Sequence, residues 1–141
     1  MEDWKIIDVY SRKDAIADGT QILANPATTA EAGIIFPVYF TQKAFDKYVK
    51  VPVGMEAYQQ EDARLWDIFT MFKLYCRGSE KSIVMFKVSI TLPNKGDWTK
   101  NEKREKGSGP DQRLITLQST IGPFDFDDLS PAITISLPNE D

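Results

Sequence analysis

The sequence predicts an α+β fold: an antiparallel β-meander packed on one long buried helix, with shorter helices around it. Three observations carry this. The stretch EAYQQEDARLWDIFTMFKLYCR (56–77) is apolar at helical spacing around most of its circumference. SIVMFKVSITLP (82–93) and RLITLQSTIG (113–122) alternate apolar and polar residues with a period of two. PAITISLP (131–138) repeats that alternation, so strand follows strand after the helix. With 141 residues the chain reads as a single domain, 1–141.

The elements follow in order. KIIDVY (5–10) is a short β-branched run and predicts a strand. Ser11 with Asp14 three positions on is close to a capping box, and Gly19 can end the turn, so a short helix is expected at 12–18. TQILANP reads as a brief strand broken by Asn25 and Pro26, and ATTAEAG as one helical turn ended by Gly33. IIFPVYF (34–40) carries Pro37, which has no N–H for a ladder, so it is expected at a sheet edge or in an extended loop. Thr41 caps QKAFDKYVK, and Pro52 stops it.

In the long helix, Leu65, Ile68, Phe69, Phe72, Tyr75 and Cys76 form one apolar face, widened by Trp66, Met71 and Leu74. Arg64, Asp67, Thr70, Lys73 and Arg77 form a narrow polar stripe. So thin a stripe implies burial on most sides, either by strands of the same chain or by a second subunit. Between the strands at 82–93 and 113–122 lies NKGDWTKNEKREKGSGPDQ, read as a flexible charged loop at 94–112. Trp98 within it is expected to pack on the body, on a neighbour or on a ligand.

Composition excludes several functions. The net charge of −4 leaves no global basic footprint, so nucleic acid is not an expected partner. A single cysteine, Cys76, cannot form an internal disulfide and reads as an inert core residue. MEDWKIIDVY lacks the character of a leader, and no apolar run reaches membrane length, so a cytoplasmic protein without a membrane partner is expected. There is no histidine, which removes His-based zinc sites and Ser-His or Cys-His nucleophile pairs. A base working near neutral pH would have to be a shifted carboxylate or lysine. No catalytic residue, metal ligand or cofactor is therefore assigned.

The segment FDFDDLSP places Asp125, Asp127 and Asp128 within four positions. Counted from Asp125, the sixth and twelfth residues are Ser130 and Ser136, so the glycine and glutamate of a calcium loop are missing. Gly122-Pro123 and Ser130-Pro131 bracket the segment, which is read as a strand connection whose aspartates bond their own backbone. The alternative is that Asp125 or Asp128 contacts a ligand hydroxyl or a partner's arginine. Arg12 and Arg113, at the starts of a helix and a strand, could each hold an anion. Arg64 and Asp67 are spaced to pair on the helix surface. No glycine-rich phosphate loop is present.

Three segments, YSRKDAIADG (10–19), RLWDIFTMFKLYCR (64–77) and IGPFDFDDLSPAITISLPNED (121–141), together resemble an uncharacterised domain family of small phage and plasmid proteins. The resemblance spans most of the chain and carries no activity, but a mobile-element setting implies a protein that blunts host defences. In size and compactness the chain is also similar to the phage anti-Thoeris sponges, which trap a cyclic ADP-ribose messenger. That likeness implies a non-catalytic counter-defence protein that sequesters a cyclic nucleotide-type signal as a homodimer or larger. Such a site needs cations for pyrophosphate, a flat side chain for the base and acceptors for ribose hydroxyls. Arg64, Arg113, Phe86, Trp98 and Asp125 are of the right types and are the candidate ligand residues. The alternatives are a protein–protein inhibitor of a host defence protein and a small Asp-dependent hydrolase.

Overall fold

The computed structural model describes residues 10–51, 60–92, 98–104, 112–138 and 140. Most of the strand expected at 5–10, the start of the helix expected from 56, and residues 94–97 and 105–111 of the charged loop lie outside them.

Helix α1 (Arg12–Asp18) starts with the reciprocal cap that its sequence spells. Ser11 Oγ accepts the Asp14 N–H, and the Asp14 carboxylate accepts the Ser11 N–H. Gly19 ends it at φ 84°, which an L side chain resists. β1 (Gln21–Leu23) comes next, then α2 (Pro26–Glu31), capped by Asn25 with Pro26 in the first turn.

β2 (Val38–Thr41) begins directly after Pro37. It is an interior strand, antiparallel to β1 and parallel to β6 (Asp128–Ser136), rather than the edge or loop expected from the proline. Because Pro37 precedes the ladder, its missing N–H removes no strand hydrogen bond. Its carbonyl still accepts the Ile133 N–H at 2.9 Å. Thr41 Oγ1 then accepts the Ala44 N–H, and the short helix α3 (Gln42–Ala44) opens at once into a π-helical turn, Phe45–Val49, which buries Tyr48 and Val49.

Helix α4 (Glu61–Cys76) packs on the sheet through Leu65, Ile68, Phe69 and Phe72. The Phe72 ring meets Phe86 edge-on at 5.8 Å. Each such side chain is worth about 1.5–3 kcal/mol relative to exposure. Trp66, Leu74 and Tyr75, counted in the apolar face from sequence, are exposed, whereas Arg64, counted in the polar stripe, is buried. A single sheet covers one side of a helix, so the buried arc is narrower than composition implies.

β3 (Ile83–Thr91), β5 (Gln112–Asp125) and β6 form the expected antiparallel meander. The sheet order is β1-β2-β6-β5-β3, and the parallel β2–β6 pair makes the whole sheet mixed. Phe86, Val88 and Ile90 of β3 and Ile115 and Leu117 of β5 point into the core, as their alternation predicts. The span read as one polar loop contains a further strand, β4 (Glu102–Arg104), paired with Arg113–Ile115 of β5. Among the described residues no helix is long and apolar enough to cross a membrane.

Candidate functional site

The five residues expected to bind a ligand are dispersed. Phe86 is fully buried under α4, between Phe72 and Tyr75. Arg64 is 4% exposed, and its guanidinium donates to main-chain carbonyls: Nη1 to Lys50 O at 3.0 Å and Nη2 to Thr91 O at 2.5 Å. These bonds tie the end of the π turn and the end of β3 to the helix. Arg113 and Asp125 occupy opposite ends of β5, on the order of 40 Å apart in an extended strand, so one small ligand cannot touch both.

Arg113 and Trp98 do meet. The Arg113 guanidinium carbon lies 4.4 Å from the centroid of the Trp98 ring. The stack covers a buried polar cluster. Arg113 is 1% exposed and pairs through Nη1 with Glu102 Oε1 at 3.1 Å, and the Glu102 side chain is fully buried. Glu102 also accepts from the Tyr48 hydroxyl, from the Thr99 N–H at 3.0 Å and from Lys47 Nζ at 3.1 Å. Asn101 Nδ2 donates to Tyr48 Oη at 2.9 Å. Burial pushes the Glu102 carboxyl up, and the donors from Tyr48, Thr99 and Lys47 outweigh it, so the group sits below the ordinary carboxylate range. Tyr48 is pushed well above the ordinary phenol value, by burial first and then by its bond to Glu102. The cluster fastens β4 and Trp98 to the sheet, and its contacts are between protein groups.

The other end of β5 holds a cavity of about 410 Å³, bordered by the start of α1, by β1 and by the β5–β6 hairpin. That volume suits a small-molecule site. Arg12 is its cation. Nε donates to Phe124 O at 2.5 Å and Nη1 to Gln21 Oε1 at 2.7 Å. The guanidinium carbon stands 4.8 Å from the Tyr39 ring centroid and 5.7 Å from that of Phe124. Among the described residues no carboxylate forms an ion pair with it. Burial lowers its pKa, but a guanidinium stays charged at any physiological pH.

Asp125 lines this cavity, and its oxygens are already committed. Oδ1 accepts the Phe126 N–H at 2.8 Å and the Arg12 N–H at 3.3 Å, and Oδ2 accepts the Lys13 N–H at 2.9 Å. Burial raises its pKa, and the three N–H donors outweigh that, leaving it depressed. The amides at the start of α1 are therefore engaged by Asp125 and are not offered to a ligand. The acidic stretch is a hairpin tip. Phe126 and Asp127 make the turn, Asp127 pairs with Lys13 at 2.9 Å, and Asp128 accepts the Ser130 N–H at 3.0 Å. Pro123 and Pro131 face each other within the ladder rather than bracketing the turn. At the rim, Phe126 is 71% exposed and Leu129 is 77% exposed.

Of the residues around this cavity, the sequence points to Asp125 as a ligand contact and to Arg12 as an anion holder. Gln21 and Phe124 carry no motif of their own and are not legible as site residues in the sequence. Their local signal is the adjacency of Tyr10-Ser11-Arg12 to a capping box and of aromatic residues to Asp125. Among the described residues no group of three acidic or cysteine side chains could hold a metal ion.

Fold and site together define an α+β domain with a cationic, aromatic-walled pocket built by one chain. No protein-family model matches this chain, and neither does any curated protein or solved structure.

Proposed function

We propose that the protein is a non-catalytic binder of a small, flat, anionic molecule of nucleotide type, held in the Arg12 cavity. The observation that supports this reading is a half-buried guanidinium on neutral acceptors, lying against two aromatic rings that pack on each other, beside a cavity of about 410 Å³. A phosphoryl group could pair directly with the guanidinium, which Asp125 attracts without forming an ion pair, and the exposed Phe126 ring offers a face to a base. Retention without turnover fits the local chemistry, because Asp125, the one carboxylate among the described residues that line the cavity, is held by three N–H donors that keep it ionised. The described lining of the pocket comes from one chain. In a mobile-element setting, sequestration of a cyclic nucleotide-type immune signal is the counter-defence role this binding would serve.

The test is a thermal-shift and calorimetric series with pyrophosphate, ADP and cyclic ADP-ribose, followed by heat release and chromatography of the ligand. Binding at 100 times Kd stabilises the fold by about 2.7 kcal/mol. Recovery of intact ligand, with binding lost in Arg12→Met, supports the reading. Cleaved ligand makes the protein a hydrolase and overturns it. A second reading is favoured by the exposed Phe126 and Leu129 at the hairpin tip: a surface that inhibits a host protein. Absence of any shift with all three ligands would move the balance to that reading.

A further inference from the structure

We infer that Gln21 determines the charge sign of the ligand that the Arg12 cavity accepts. The inference rests on the binding reading above and narrows it. Arg12 has five N–H donors and no acceptor, so the Gln21 atom 2.7 Å from its Nη1 must be the carbonyl oxygen. That bond fixes the amide's rotation. Gln21 lines the cavity with both Nε2 N–H groups uncommitted, since they make no hydrogen bond among the described residues. Arg12 Nη2 is likewise uncommitted among the described residues.

The nearby acceptors are in the opposite condition. The Phe124 carbonyl and Gln21 Oε1 are engaged by Arg12, and both Asp125 oxygens are engaged by main-chain N–H groups. Around the guanidinium the cavity thus presents donors with no partner among the described residues and acceptors that already carry at least one bond. An oxyanion with two or more terminal oxygens, phosphoryl or pyrophosphoryl, can take both donor sets at once. An ammonium group would instead meet the Arg12 charge at close range, and a sugar hydroxyl would leave the charge of the guanidinium unanswered. Gln21 is therefore a specificity-determining residue. It holds Arg12 without neutralising it, which a carboxylate at the same position would not do.

Gln21→Glu tests this almost isosterically. The new carboxylate takes the Arg12 bond as an ion pair, removes two donors and adds a like charge for an anion to meet. The variant should keep or raise the wild-type melting temperature while its affinity for pyrophosphate and ADP falls about tenfold or more. Gln21→Met, which removes the amide without adding charge, should lose less. Wild-type binding of pyrophosphate with unaltered affinity in Gln21→Glu overturns the assignment of Gln21 alone. No binding of pyrophosphate or ADP by the wild-type protein overturns the pocket reading, and this inference with it.

Discussion

Replacing Glu102 with alanine should be among the most damaging single changes in the molecule. Its side chain is fully buried, and it faces Arg113, which is 1% exposed, at 3.1 Å. Removing one partner of a buried pair leaves the other charge in a low-dielectric site, at a cost of about 3–5 kcal/mol. The substitution also deprives the Tyr48 hydroxyl and the Thr99 N–H of their acceptor. A domain of this size holds on the order of 5–15 kcal/mol in total, so the loss is a large fraction of it. In urea denaturation with an m-value of about 1.5 kcal/mol/M, the midpoint falls by about 2–3 M. Arg113→Met should be costly for the same reason. The double variant Glu102→Met, Arg113→Met should be less damaged than the sum of the singles, because a well-packed apolar pair replaces a buried ion pair at little net cost. A loss under about 1 kcal/mol for Glu102→Ala, or strict additivity in the cycle, would refute the account of a mutually dependent buried pair.

Two further outcomes rest on the same chemistry. Arg64→Met keeps the stem's packing but leaves the Lys50 and Thr91 carbonyls without their donor, so denaturation should show a loss of about 2–4 kcal/mol; pyrophosphate affinity at the distant Arg12 cavity should not change. Glu102 and Asp125 bind a proton more weakly when folded than when unfolded, so their stabilisation is complete above the ordinary carboxylate range, roughly pH 4, and drains away as pH falls through their lower folded values. Tyr48 is shifted the other way, so its contribution is complete below the ordinary phenol value of about 10 and is lost only as pH rises further. With no histidine to titrate in between, thermal melts should be nearly flat from about pH 5 to 9. A marked slope near neutrality would contradict that assignment.

Legibility in the sequence tracked how local each cause is. The cap at Ser11, the turn at Gly19 and the alternation of β3 and β5 are set by neighbours within a few positions, and all were readable. β4 was not. Its three residues are Glu, Lys and Arg, with no apolar pattern, and the strand exists because Glu102 reaches Arg113 and Tyr48. The parallel β2–β6 pair was invisible for a similar reason, since nothing near Val38 names Ile133 as its neighbour. Arg64 and Arg113 had the right chemistry for a ligand, but burial turned it toward carbonyls and a carboxylate of the fold itself. The aspartates were recognised as belonging to a strand connection. That Asp125 would cap a helix from far away in the chain depends on tertiary approach, which one sequence does not display.

The pairing of β2 with β6 also bears on how the chain is made. Translation delivers α1, β1 and β2 early, yet the neighbour that completes β2's ladder emerges after every other described strand. Until then the hydrogen-bonding flank of Val38–Phe40 stands open beside apolar side chains, a surface that invites association with other nascent chains. Folding on the ribosome should therefore be postponed rather than stepwise, and a stop codon before residue 133 should yield aggregates, not a smaller stable domain.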